Sequence, residues 1–152
     1  MTYRISGLEP AAFADTDALL RAGAVRVQAD SKPGFPCRVT LEDAEPGESL
    51  LLLNHVSHDV ATPFRSAYAI YVREGATKAP EYVDSTPAFF GHRMLGFRGF
   101  DADGILRRAS VAGPGDADQA IRGLLDHHEV AYIDIHNAGA GCFMARAERF
   151  NA

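Results

Sequence analysis

The sequence predicts an α+β fold: a curved, mostly antiparallel sheet, or a partly closed barrel, of about eight strands with two main helices packed against one side. Three observations lead there. Short segments with a two-residue apolar period recur along the chain, as in "AVRVQAD" and "VAYIDIHN". Turn residues separate them at intervals too short for the crossover helices that a parallel sheet requires. Helical apolar spacing is confined to two stretches.

"TYRISGL" opens as a short strand, after which Glu9-Pro10 leads into the helical stretch "AAFADTDALLRAGA". Phe13, Leu19 and Leu20 give it an apolar stripe, and Gly23 stands where a helix stop is expected. "AVRVQAD" alternates Val25 and Val27 against Arg26 and Gln28. The turn "SKPGFP" separates it from "CRVTLEDA", where Cys37, Val39 and Leu41 alternate with Arg38, Thr40 and Glu42. "SLLLLNHV" has a continuous apolar run, which suggests a strand covered on both faces. "SAYAIYVREG" is a further strand, rich in aromatic and β-branched residues.

Between Gly75 and Phe89 the chain reads as a loop, with Pro80 and Pro87. "RMLGFRGFDADGILRRASVAG" is a hairpin turning at Asp101 to Gly104. The second helix is the better defined: Asp116 or Asp118 can cap it, Ala120, Ile121, Leu124 and Leu125 share a face, and His127 and His128 fall near its end. Two alternating runs around the glycine-rich turn of "VAYIDIHNAGAGCFMARAERF" close the chain. With no internal repeat or long linker, residues 1–152 read as one domain.

The composition, 47% hydrophobic and 23% charged, is that of an ordinary globular protein. Nine Phe and five Tyr supply large core side chains in the absence of Trp. A net charge of -5 argues against nucleic acid as a partner. No apolar run approaches membrane-spanning length, and the N-terminus lacks the pattern of a signal peptide. Cys37 and Cys142 form no C-x-x-C pair, which removes the zinc-knuckle and thioredoxin-like readings. A cytoplasmic protein with neither metal nor cofactor is expected, since phosphate-loop, dinucleotide, hydrolase-elbow and zincin motifs are also missing.

The candidate chemistry lies in two sets of residues. "IDIHNAGAGCF" places His136 and Asn137 shortly before Cys142, the residue types of a cysteine nucleophile with polar partners. Which of them meet depends on the register of the last hairpin. An even loop puts Asn137 opposite Cys142 and His136 on the reverse face, whereas an odd, bulged loop joins His136 to Cys142. The even register is expected, with Cys142 packed beside Ile133, Ile135 and Met144 as a core residue. Cys37 alternates with Val39 and Leu41 and reads as a small buried hydrophobe. "NHVSHD" offers His55 and His58, but on a strand that spacing puts two imidazoles on opposite faces, so a polar loop after a buried strand is expected.

The second set is cationic. Arg38, Arg65, Arg93, Arg98, Arg146 and Arg149 are spread through strand-like segments, and guanidinium is the group that grips carboxylate or phosphate with a planar fork. Several on one sheet face would make an anion pocket.

The segments "GFPCRVTL", "PGESLLLLNH", "PFRSAYAIYVREGA", "RMLGFRGFDADG" and "HNAGAGCFMARAER" together resemble an uncharacterised bacterial family, domain of unknown function 1203. The resemblance runs from about Arg4 to Arg149. It implies a small, single-domain bacterial protein and brings no established activity. It directs attention to Arg38, Arg65, Tyr68, Arg93, His136, Asn137 and Cys142 as the polar residues that the shared segments would bring together. The expected role is therefore binding of a small anionic or polar molecule in a sheet concavity, with Arg38, Arg65, Tyr68 and Arg93 as ligand-binding residues. One alternative is an enzyme using Cys142 with His136 or Asn137. Another is an interaction module that self-associates as a homodimer.

Overall fold

The structure is a computed structural model and describes residues 1–151. It has eleven strands in two sheets and two α-helices. The six-stranded sheet is built from β1 (Tyr3–Ser6), β7 (Glu81–Val83), β8 (Leu95–Phe100), β9 (Leu106–Ala112), β10 (Tyr132–Asn137) and β11 (Phe143–Arg149), in the spatial order β7-β1-β11-β10-β8-β9. The five-stranded sheet uses β2 (Val25–Gln28), β3 (Pro36–Cys37), β4 (Glu42–Asp43), β5 (Ser49–His58) and β6 (Ser66–Arg73), in the order β2-β5-β6-β3-β4. All pairings are antiparallel except β3 with β6. The predicted α+β class holds. The barrel alternative does not, because the chain divides its strands between two open sheets.

The helices cover different sheets, where the sequence predicted a shared side. α2 (Ala117–Leu125) buries Ala117, Ile121, Leu124 and Leu125 against Ile5, Leu95, Phe97, Ile133 and Ile135 of the six-stranded sheet. Asp116 stands at its N-terminus without a side-chain cap. The Asp118 carboxylate instead accepts from the Tyr3 hydroxyl at 2.5 Å and from Arg122. The single predicted helix over 11–24 breaks in two: a 3₁₀ turn at Pro10–Phe13, then α1 (Thr16–Arg21). Asp15 restarts it by accepting from the Ala18 N–H at 3.0 Å, and Gly23, at φ 110°, ends it as expected. Phe13, Leu19 and Leu20 pack on Leu51, Leu53, Ile70 and Val72 of the five-stranded sheet. The opposite face of β5 buries Leu50 with Ala29 and Ala44, so "LLLL" is covered on both sides, as its continuous apolar run implied.

Two segments depart from their alternating pattern. "CRVTLEDA" is not one strand: the chain turns over residues 38–41, closing with the Leu41 N–H on the Cys37 carbonyl at 3.0 Å and Leu41 at φ 54°. Arg38 is therefore buried, 2% exposed, and not part of a solvated strand face. The stretch between Gly75 and Phe89 contains β7, which pairs with the edge of β1 and is only three residues long. The predicted hairpin at 101–104 forms: Asp101 Oδ1 accepts from the Asp103 and Ile105 N–H groups, and Gly104 takes φ 80°.

Candidate functional site

Alternation along β8 and β10 gives the six-stranded sheet two different buried faces. Leu95, Phe97, Ile133 and Ile135 point toward α2. The residues between them face the other sheet: the cross-strand pairs are Gly96 with His136, Arg98 with Asp134 and Phe100 with Tyr132. From the five-stranded sheet the pair His55 and Tyr68 meets them. The Tyr68 and His136 rings stand edge to face at 5.0 Å, and Phe143 contacts the His136 and His55 rings at 5.9 and 6.4 Å. Further along, His58 stacks on Phe100 at 3.9 Å, with Nε2 2.7 Å from the Tyr132 hydroxyl and Nδ1 2.9 Å from the Phe64 carbonyl.

The placement of His55 and His58 corrects the sequence expectation. β5 continues through both, and a register shift between Val56 and His58 cancels the strand alternation, so both rings reach the six-stranded sheet. Both nitrogens of His58 are engaged by protein groups. Among the described residues there is no cluster of three or more His, Cys, Asp or Glu suited to a metal ion.

The last hairpin has the even register next to its turn. His136 lies opposite Phe143, and the Asn137 N–H donates to the Cys142 carbonyl at 2.9 Å. Just beyond, the register shifts between Ile135 and His136, so that Ile135 pairs with Ala145. Met144 is the extra residue, buried with Ile133 and Ile135. Cys37 is a fully buried core residue as expected, but Cys142 is not. Cys142 is half-buried and its sulfur accepts from Arg38 Nη2 at 3.0 Å. Arg38 also donates through Nε to the Phe143 carbonyl at 2.8 Å and through Nη1 to the Pro36 carbonyl at 2.6 Å. Burial pulls the Arg38 pKa down, and the charge and hydrogen bond of Cys142 oppose that fall.

The four predicted ligand-binding residues occupy separate places. Arg65 is at the surface, 3.3 Å from Asp59. Arg93 grips both oxygens of buried Asp43, at 2.6 and 3.0 Å, and also the Phe89 carbonyl. Burial pushes the Asp43 carboxyl up, yet Arg93 and His92 more than offset this and hold it below the ordinary carboxylate value. Arg38 is committed to Cys142 and two carbonyls. Tyr68 is the one that reaches His136, and its hydroxyl accepts from Arg98 Nη1 at 2.7 Å.

Arg98 thus belongs to the site although it was only one of several dispersed arginines in the sequence. "LGFRGF" carried a signal in its glycines. Gly96 leaves open space where a Cβ would stand, and Gly99 lies against Val130. A cavity of about 250 Å³ opens there, lined by Gly96, Arg98, Ser110, His136, Asn137 and Gly141. His136 is 3% exposed, and its Nδ1 lies 2.9 Å from the Gly141 carbonyl. Burial lowers its pKa below the ordinary 6.5, with Arg98 and Arg38 acting in the same direction against Gly141 and Asp134. Larger grooves lie elsewhere with other linings. One of about 430 Å³ between β9 and α2 presents Asp116 and Gln119 without a cation, and in one of about 400 Å³ Asp43 is already paired with Arg93.

The family model for a protein of unknown function, domain of unknown function 1203, matches residues 34–149. The chain belongs to this family. The match takes in Arg38, Tyr68, Arg98, His136 and Cys142, so both polar clusters of this domain of unknown function 1203 protein fall within it, while β1, α1 and β2 precede it. No match was found among curated proteins or among solved structures. No helix among the described residues is long and apolar enough to cross a membrane.

Proposed function

We propose that this domain of unknown function 1203 protein binds a small anionic or polar ligand in the cavity between β8 and the last hairpin. The carrying observation is Arg98. Its guanidinium has the Tyr68 hydroxyl as its hydrogen-bond partner, no carboxylate of the described residues within ion-pair distance, and a position on the cavity wall beside His136. An arginine with unspent N–H donors in a confined site is suited to a carboxylate or phosphate. Thermal shift against an anion panel at constant ionic strength tests this, with wild type and Arg98→Leu in parallel. A stabilisation present in wild type and absent in the variant supports the reading. Equal responses, or none, discard it.

A second reading, an enzyme with Cys142 as nucleophile, is favoured by the contact between Cys142 and Arg38, because a buried guanidinium can stabilise charge that develops at or near the sulfur. Asn137 sits across the hairpin from Cys142, and His136 is reached through the Gly141 carbonyl on the other face. Both thiols are unpaired, consistent with a reducing cytoplasmic setting. Alkylation of Cys142 no faster than that of a solvent-exposed cysteine in a short peptide would remove this reading.

A further inference from the structure

The cavity reading leaves open what distinguishes one small anion from another, and the second polar group on its wall answers that. We infer that the ligand carries a hydrogen-bond donor next to its anionic group, as a 2-hydroxy or 2-amino carboxylate does, with the anion on Arg98 and the donor on His136 Nε2. This rests on the proposed anion site and sharpens it.

The Gly141 carbonyl can only accept, so the contact at 2.9 Å requires the proton on Nδ1. Nε2 of the neutral ring is then an acceptor, and no group of the described residues is hydrogen-bonded to it. His136 is 3% exposed, and Nε2 keeps access to the cavity, where a ligand group can reach its lone pair. Burial chiefly keeps the ring neutral, and the two nearest cations act in the same direction. Arg98 from β8 and Arg38 from the turn after β3 are cationic, Tyr68 from β6 presents its ring edge to face, and His55 from β5 lies beyond Phe143. Asp134, on the same strand, is the one nearby carboxylate, and it is bound to Arg146 through both oxygens.

A bare carboxylate fits this wall badly. One oxygen would gain Arg98, while any oxygen approaching Nε2 would set lone pair against lone pair. A hydroxyl or ammonium beside the carboxylate removes the conflict and satisfies Nε2. Gly96, which pairs with His136 across the strands, supplies the space.

The test uses acetate, glycolate and glycine as probes at equal ionic strength, with binding followed by the amide and imidazole NMR signals of the full chain at pH 7.5. Glycolate or glycine is expected to bind at least tenfold tighter than acetate. Arg98→Leu should abolish binding of all three, and His136→Phe should erase the preference for the donor. Acidification through the lowered pKa of His136 should weaken glycolate and strengthen acetate, since the imidazolium becomes a donor at Nε2. If acetate equals glycolate in wild type while both depend on Arg98, the donor requirement is wrong and the anion site stands. If no probe shows Arg98-dependent binding, both are wrong. A measurement on the unmodified protein guards against a misfolded variant: imidazole ¹⁵N shifts must place the proton on Nδ1, and a proton on Nε2 overturns the inference.

Discussion

The two faces of the six-stranded sheet are built by the same strands and do different work. Toward α2, Leu95, Phe97, Ile133 and Ile135 meet Ile121 and Leu125 in an apolar core. Toward the five-stranded sheet, the residues in between are Gly96, Arg98, Asp134 and His136, and they meet Tyr68, Phe143 and Arg146. Both faces are covered, so burial alone does not distinguish them. The difference is in what burial requires. The apolar face gains about 25 cal/mol for each Å² removed from water, whereas each polar group on the other face must recover a lost hydration shell through a partner. Asp134 recovers it from Arg146 and His58 from Tyr132 and Phe64, while Arg98 and the Nε2 of His136 do so only in part. Arg98, His136 and the unpartnered Ser110 hydroxyl lie together at one cavity, where a ligand would have something to add, while the unpartnered Arg4 Nε and Ser57 hydroxyl lie elsewhere.

Substitutions on the two faces should have different costs. The largest expected effect is on the apolar face. Phe97→Ala empties a fully packed ring site and should cost about 3–5 kcal/mol in urea unfolding. Asp134→Asn comes next. It keeps the shape but removes the charge under Arg146, which bonds it at 2.7 and 3.1 Å, and should cost about 1–3 kcal/mol by the same measurement.

Between pH 7.5 and 5, acidification should act on the polar face and on the His55 that meets it. The folded-state pKa values of His136 and His55 lie below the ordinary 6.5, both chiefly through burial, so between those values and 6.5 the unfolded chain binds more protons than the folded one. Their contribution to stability is full above pH 6.5 and is lost as the pH falls toward the folded values. His136→Phe should flatten that slope in a denaturation series from pH 7.5 to 5. The smallest effect on stability belongs to Arg98→Leu. Losing one bond to the Tyr68 hydroxyl from a half-buried position should cost about 0.5–1.5 kcal/mol, read from the same urea curves.

Much of this arrangement was legible along the chain where the determinants are local. The alternation in β10 and β11, the Asp101 to Gly104 turn, the Gly23 stop and the stripe of α2 each depend on neighbours a few residues apart. The even register beside the last turn was also legible, and with it the separation of His136 from Cys142 onto different faces. The bulge at Met144 was not, because nothing in "CFMAR" marks which residue the partner strand will skip. The same holds for the shift that brings His58 round to the side of His55. Arg38 departs from its strand pattern for a different reason. Its burial depends on carbonyls and a sulfur brought from Phe143 and Cys142, more than a hundred positions away, with |i−j| of 105 and 104. "CRVTLED" gave a clean strand period, and the turn at 38–41 overrode it. Arg98 carries no local mark in the sequence, since its distinction is a missing carboxylate, and partnership across two sheets is a property of the fold.

Ile133 of β10, packed toward α2 and away from the cavity, and Arg98 of β8, on the cavity wall, point to opposite faces of the sheet and make the sharpest pair for a direct test. The decisive measurement is the thermal midpoint of Ile133→Ala and Arg98→Leu, each with and without saturating glycolate at constant ionic strength. Ile133→Ala should melt far lower than wild type yet keep the glycolate-induced rise, and Arg98→Leu should melt close to wild type and lose it. Comparable destabilisation in the two variants, or a glycolate response that survives Arg98→Leu, would contradict the division of the sheet into a folding face and a binding face.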